Sequence, residues 1–329
     1  MTKIDFVITW VDGSDPKWLE KKQKYSGKEL SELNSNSRYR DWDFLKYWFR
    51  AVEQNANWVN KVYFVTEGHL PDWLDISFEK LVVVKHSEFI NQECLPTFNS
   101  SVILTNLGNI SGLSENFVNF NDDMFINKNV KPTDFFKDDL PRDTGIFSPI
   151  VPARNTIASA VLNNLEILND YFTSREVLKN NFWKYFNFKY GKHLIKNFCV
   201  LPWWRILGFY DSHIPISYKK TTFRKLYELE PELFSMNDKS RFRTKSDVTE
   251  WLMRYWQLAS GDFVPRSVKF GAYYNISNNP EQIIKDIKES KHSLICINDS
   301  DEITEFEKVK SQLLLVFEEK FPIKSCFEK

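Results

Sequence analysis

The chain has 329 residues, more than one compact domain usually holds, so one large α/β domain or a core with a subsidiary lobe is expected. Hydrophobic residues make up 42% and charged residues 27%, which excludes a disordered or fibrous class. The 44 Lys plus Arg balance 44 Asp plus Glu, so no global field draws a polyanion and nucleic acid is not expected as a partner.

Ile4 to Trp10 reads as a buried strand, and Val11-Asp12-Gly13-Ser14-Asp15-Pro16 after it as an acidic loop. No basic or apolar leader precedes this strand, and nowhere do about 18 apolar residues run together. A cytoplasmic protein without a membrane span is therefore expected. Asp41 can cap a helix reaching about Asn55, in which Phe44, Leu45, Trp48, Phe49 and Val52 recur at helical spacing. Val62–Thr66 and Leu81–Val84 are apolar enough to be strands covered on both faces. Ser100–Leu107 reads as helix, and Phe117–Phe120 as a strand running into Asn121-Asp122-Asp123-Met124-Phe125. Strands alternating with helices imply an α/β fold with a mostly parallel sheet. Loops at the carboxyl ends of such strands gather at one crevice, so those after Trp10 and Phe120 can face one ligand.

From about Pro149 the character changes. Asn155–Leu168 reads as an apolar helix, and Phe182–Trp204 is dense in aromatics, Lys and Asn, which together suggest a helical lobe over the crevice. Asp211-Ser212-His213-Ile214-Pro215 is a loop, Glu228–Arg243 a charged stretch, and Asp247–Leu258 an amphipathic helix. Leu294–Ile297 is a strand, Asn298–Asp301 an acidic turn, and Glu302–Glu319 a helix that Ser300 or Asp301 can cap. The chain thus divides at residues 1–150, 151–210 and 211–329, the last completing a core begun by the first. The 28 Phe, 13 Tyr and 11 Trp suit either an aromatic-rich core or platforms for sugar or base rings. Cys94, Cys199, Cys296 and Cys326 form no CxxC or Cys/His cluster, and are expected as reduced, buried thiols.

Asp122-Asp123 stands just beyond an apolar strand, where two carboxylates can hold Mg2+ or Mn2+ against nucleotide phosphates; an acidic turn would use the same pair. Asp299 also follows a buried strand and can share that metal. Gly13 permits close backbone approach beside Asp12, as it would in an ordinary tight turn. A neutral His213 in its loop can accept a hydroxyl proton or simply pack, and Arg243 can present its fork of donors to phosphate or remain solvated. His86 is expected to bond a neighbouring loop. Gly-x-Gly-x-x-Gly, Walker, Gly-x-Ser-x-Gly and His-Glu-x-x-His signatures are all missing.

Four blocks, in order, carry a resemblance to one family. They are Ile4–Asp15; Arg38-Tyr39-Arg40-Asp41 through Leu95–Ser100 to Phe120–Phe125; His213 to Asp247; and Cys296-Ile297-Asn298-Asp299-Ser300. The chain resembles the Stealth proteins, capsular polysaccharide phosphotransferases related to the lysosomal-enzyme N-acetylglucosamine-1-phosphotransferase. That resemblance implies a Rossmann-like, glycosyltransferase-A-like core and a divalent metal, Mg2+ or Mn2+. It also implies transfer of hexose-1-phosphate from a UDP-sugar donor to a hydroxyl of a growing capsular or cell-surface polysaccharide, with UMP released. Catalytic positions carried over are Asp123, His213, Arg243 and Asp299, with Asp123 and Asp299 on the metal. Trp10, Asp12, Gly13, Arg40, Asn99, Asn121 and Asp122 are expected near substrate, and peripheral association with capsule assembly machinery is implied. The alternatives are a metal-dependent glycosyltransferase releasing UDP, and a carbohydrate-binding protein without catalysis.

Overall fold

The computed structural model describes residues 2–26, 40–154, 156–299 and 303–329. Arg38, Tyr39, Asn155, Ser300 and Asp301, invoked above, lie outside them. In the first half, β1 (Ile4–Thr9) leads through α1 (Pro16–Ser26) to α2 (Leu45–Asn55), β2 (Val62–Thr66) and β3 (Leu81–Lys85). Then come α3 (Ser100–Thr105), β4 (Asn116–Asn121), β5 (Met124–Ile126), α4 (Pro132–Phe135), β6 (Phe136–Lys137) and β7 (Leu140–Asp143). Helices α5 (Ala158–Tyr171), α6 (Ser174–Tyr185) and α7 (Leu194–Cys199) follow, then β8 (Ile216–Lys219) and α8 (Lys220–Leu229). The chain continues through α9 (Pro231–Asp238), α10 (Trp251–Ser260), β9 (Val264–Pro265), β10 (Gly271–Asn275), α11 (Glu281–Glu289), β11 (Leu294–Asn298) and α12 (Phe306–Lys320).

The central sheet has the order β3-β2-β1-β4-β8; its first four strands are parallel and β8 runs antiparallel at the edge. Its inner strands are predominantly apolar because helices cover both faces. Alternation along each strand divides the side chains between two cores. Phe6, Ile8, Val62, Phe64, Val118 and Phe120 join α2, α11 and α12 on one side. Val7, Tyr63, Val65 and Phe117 join α3, α5, α6, α8 and α10 on the other. A second sheet, β10-β11-β5, adjoins the carboxyl end of β4, and β6-β7-β9 forms a third.

The five expected strands, β1 to β4 and β11, fall where the apolar runs place them, and β5 to β10 go beyond them; α5 opens at Ala158, and three further helix starts are displaced. Helix α2 opens at Leu45, because the Asp41 carboxylate is used inside its own turn by the Asp43 N–H at 2.7 Å. Helix α10 opens at Trp251, because Asp247 accepts from the Thr244 N–H and hydroxyl. Helix α12 opens at Phe306, so the cap position is Glu305 rather than Ser300 or Asp301. Val82 and Val83 are only half-buried, since β3 is an edge strand. All four cysteines are unpaired, but only Cys94 and Cys296 are buried; Cys199 and Cys326 are exposed, on α7 and beside Glu53.

Phe120 is fully buried, with ring centroids 4.9 Å from Phe6 and 5.4 Å from Trp48, two residues before Asp122. Truncation to Ala leaves a cavity that so dense a core cannot close. Phe120→Ala is expected to lower unfolding stability by about 3–5 kcal/mol, read from urea denaturation.

Candidate active site

Two residues carry the chain from the central sheet to the second one. β4 ends at Asn121, β5 begins at Met124, and the turn between them is Asp122-Asp123. β11 pairs antiparallel with β5, placing Cys296 opposite Met124, and the Ile297 N–H donates to the Asp123 carbonyl at 2.8 Å. This register brings the Cys296 Sγ to 3.3 Å from Asp123 Oδ2, and parallel pairing with β10 sets Tyr273 opposite Cys296. The turn faces a cleft of about 760 Å³. Trp10, Arg40, Asn121, Asp122, Asp123, His213, Arg243 and Asp299 all line it, so residues up to 289 positions apart in the chain converge.

His213 enters from the loop before β8 with a left-handed backbone, φ 46°. Asp211 holds it there: the His213 N–H donates to Asp211 Oδ1 at 2.9 Å, and Nδ1 lies 3.3 Å from Oδ2. Tyr273 and Trp251 stand edge-on to the imidazole, with centroids 5.1 and 6.1 Å away. Burial works against a charged imidazole, but the bond to Asp211 and the charges of Asp211, Asp123 and Glu250 outweigh it, so its pKa is raised. Behind Asp211 sits the buried Arg254, which grips Asp143 through two bonds of 2.7 and 2.9 Å, donates to the Tyr210 carbonyl, and lies 3.9 Å from Asp211. Burial opposes ionisation of Asp211 too, yet His213 and Arg254 keep its carboxyl below the usual range.

The acids of the cleft go the other way. Burial pushes Asp123 up despite His213, and pushes Glu250 up to about 7. Asp122 remains reachable by cleft water, but withdrawal from bulk solvent, then Asp123 and Asp41, raise it to about 7. Asp123 Oδ1 is buried and finds no hydrogen-bond partner among the described residues. An oxygen left in that state suits a cation. Asp123, His213 and Cys296 offer ligand atoms within 4.8 Å of one another. Burial, then Asp123, raise the Cys296 thiol well above its ordinary range, so it stays protonated and donates to Asp123 rather than serving as a thiolate. Asp299 stands outside this cluster, 3.4 Å from the Arg40 Nε, while Arg40 also lies over the Phe306 ring.

Three residues expected near substrate do not line the cleft. Asp12 folds back on the Ser14 N–H and hydroxyl, its own N–H donates to His69 Nε2 at 2.7 Å, and Gly13 lies in the same loop. Asn99 is fully buried; its oxygen caps α3 at the Ser101 N–H, and its amide donates to the Ser240 and Phe242 carbonyls and to Asp247. It thereby fastens the segment bearing Arg243 to the start of α3, where the Arg243 guanidinium meets the Ser100 hydroxyl. His86 lines the cleft instead of bonding a loop through Nδ1, and burial lowers its pKa to about 4, so it is neutral. Of the 151–210 segment only Thr156 and Ile157 reach the cleft among the described residues.

Comparison with known proteins decides the family. The Stealth protein conserved region 1 model matches residues 2–29, and the conserved region 2 model matches residues 38–143. The capsular polysaccharide phosphotransferase WcwK of Streptococcus pneumoniae is 54% identical over 332 aligned positions, covering 100% of this chain and 99% of that one. This chain belongs to the Stealth family of polysaccharide phosphotransferases. Other Stealth relatives are the exopolysaccharide phosphotransferase cps2G of Lactiplantibacillus plantarum, 43% identical over 99% of this chain and 96% of its own. The receptor polysaccharide phosphotransferase WefC of Streptococcus oralis is 42% identical over the whole of both chains. Conserved region 2 thus includes the Asp122-Asp123 turn, while His213, Arg243 and Asp299 lie beyond both matched regions.

Protonated His213 favours the folded state, a contribution present at low pH and lost as pH rises through the raised pKa. Asp211→Asn removes the largest force holding that proton and leaves burial unopposed by its nearest anion. The histidine resonance of the metal-free variant is expected to titrate at clearly lower pH than in the parent, followed by NMR; an unmoved midpoint would show that Asp211 does not set the charge of His213.

Proposed function

We propose that this Stealth protein transfers hexose-1-phosphate from a UDP-sugar to a hydroxyl of a growing capsular or cell-surface polysaccharide, forming a phosphodiester and releasing UMP. One observation carries the reading. The buried Asp123 oxygen, without a hydrogen-bond partner among the described residues, faces the same cleft as His213 and two arginines, a combination suited to a phosphate that is approached by a hydroxyl. The names of the relatives, which act on capsular, receptor and exopolysaccharides, support the acceptor class.

In this scheme the acceptor oxygen forms a bond to the phosphorus bearing the sugar as the bond from that phosphorus to UMP breaks. Asp211 engages His213 Nδ1, which leaves Nε2 to take the acceptor proton. Arg243, set by Asn99 and Ser100, stabilises charge on the phosphoryl oxygens, and Arg40 meets the far phosphate from its place beside Asp299. Asp123 is the first ligand for Mg2+ or Mn2+, with Asp299 and His213 nearby; its chemistry there would be to neutralise the pyrophosphate. Hard cations prefer oxygen, so the protonated Cys296 is a support for Asp123 and not a ligand.

We read the parallel sheet with its acidic turn at a strand end as Rossmann-like, of the glycosyltransferase-A kind. Residues 1–150 and 211–329 are the two parts of that core, which share both hydrophobic clusters, and 151–210 is an added lobe. Four unpaired thiols favour a reducing, cytoplasmic setting.

Incubation with a panel of nucleotide sugars and Mg2+ or Mn2+ tests donor, metal and bond cleavage together. UMP release with phosphate retained in the product is expected; UDP release with a phosphate-free glycosidic product would make it a glycosyltransferase. Asp123→Asn is expected to abolish turnover with the circular dichroism unchanged. Arg243→Ala is expected to slow it by about 10²–10³-fold, the scale of one lost transition-state donor.

A further inference from the structure

We infer that the α6–α7 lobe is a docking face for the surface of an anionic lipid bilayer. Between residues 177 and 210 the sequence has no Asp or Glu, although the whole chain is neutral. The same stretch holds Lys179, Lys184, Lys189, Lys192, Lys196 and Arg205. Among the described residues none of these six pairs with a carboxylate, so their charge is not neutralised within the fold.

Val177, Leu178, Tyr185, Val200, Ile206 and Phe209 of this stretch join the core, while most of its other large apolar side chains face outward. Phe188 is 94% exposed and Trp183 79%, with Phe182, Phe198, Trp203 and Trp204 each about half exposed. They lie together. Phe182 is 5.2 Å from Trp183 and 4.5 Å from Phe186, which is 4.7 Å from Phe198. The Ser174 N–H holds the Trp204 carbonyl at the other end of α6, so the patch runs the length of that helix. Soluble proteins rarely leave so many large apolar groups on one surface without a use for them.

Exposed aromatic rings on a stretch that carries six basic and no acidic residues match the interface of a membrane, where rings enter the headgroup layer and lysines meet anionic lipid. A glycan would need a groove with polar groups around each ring, and neither principal cavity touches residues 174–205. No helix among the described residues is long and apolar enough to cross a bilayer, so the contact is peripheral. The lobe runs directly into the catalytic loop: His193 packs on Tyr210 at 5.0 Å, next to Asp211. Docking there would set the His213 side of the cleft close to a lipid-borne acceptor. The binding itself does not depend on the reaction assigned above.

Flotation of the full chain with vesicles of phosphatidylcholine and phosphatidylglycerol, 7:3, tests this. Binding is expected, together with a blue shift of tryptophan emission, and pure phosphatidylcholine should retain far less protein. Partitioning should fall on the order of tenfold for Trp183→Ala/Phe188→Ala, and about fivefold for each lysine removed at Lys179 and Lys192. All these side chains are exposed, and unchanged near-ultraviolet circular dichroism would exclude misfolding as the cause. Three results would overturn the proposal. They are no flotation even at low salt, flotation that the variants do not alter, and absence of flotation alongside self-association or binding to poly(glycerol phosphate) that the same variants remove. The last would assign the face to a second copy or to a soluble polyanion.

Discussion

The pairing of β5 with β11 is the constraint on which the site depends. β4 and β5 belong to different sheets, so the chain must turn from one to the other within two residues, and both are aspartates. A turn of two acids left to itself would turn its carboxylates to bulk water. Here the Ile297 N–H fixes the Asp123 carbonyl and the Cys296 thiol meets its side chain, so the turn is held from behind and its acids project into the cleft. Moving the β5–β11 register by one residue would exchange the faces of Cys296 and Ile297 and remove that support.

Charge in the cleft is arranged in two layers. Against the core, Arg254 satisfies the hydrogen bonds of Asp143 and stands near Asp211, whose carboxyl it helps His213 to hold below the usual range. In the cleft itself, Asp123, Asp122 and Glu250 are all pushed toward the protonated state by burial. Such a group gives up stability in order to stay available, because it would be more comfortable in water. Arg40 and Arg243 then bring positive charge to the same space, which suits a ligand carrying several negative oxygens.

Much of the α/β frame was legible because the buried strands are predominantly apolar, and the Asp122-Asp123 turn was legible because it ends one of them. The helix starts at Asp41 and Asp247 were misread for a shared reason. Asp, Asn and Ser bond nearby backbone in turns as readily as at helix caps, and the sequence does not say which they will do. Asn99 illustrates the converse: it is a cap that also anchors a loop about 140 residues away, so it influences the site without facing it. Asp211, two residues before His213, could have been noticed from spacing alone. Cys296, Arg254 and Glu250 could not, since strand register and helix packing place them, and neither is written in a local pattern.

An electrically neutral chain with an acid-free basic stretch has a further property. The remaining residues must carry an equal acidic excess, so the charge of the chain is divided unevenly between the aromatic stretch and the rest. Near a negatively charged surface such a particle feels a torque before it feels net attraction. It would arrive already rotated, with its acidic body held away, and the range of that alignment would shorten as salt is added, over a Debye length of about 8 Å at physiological strength.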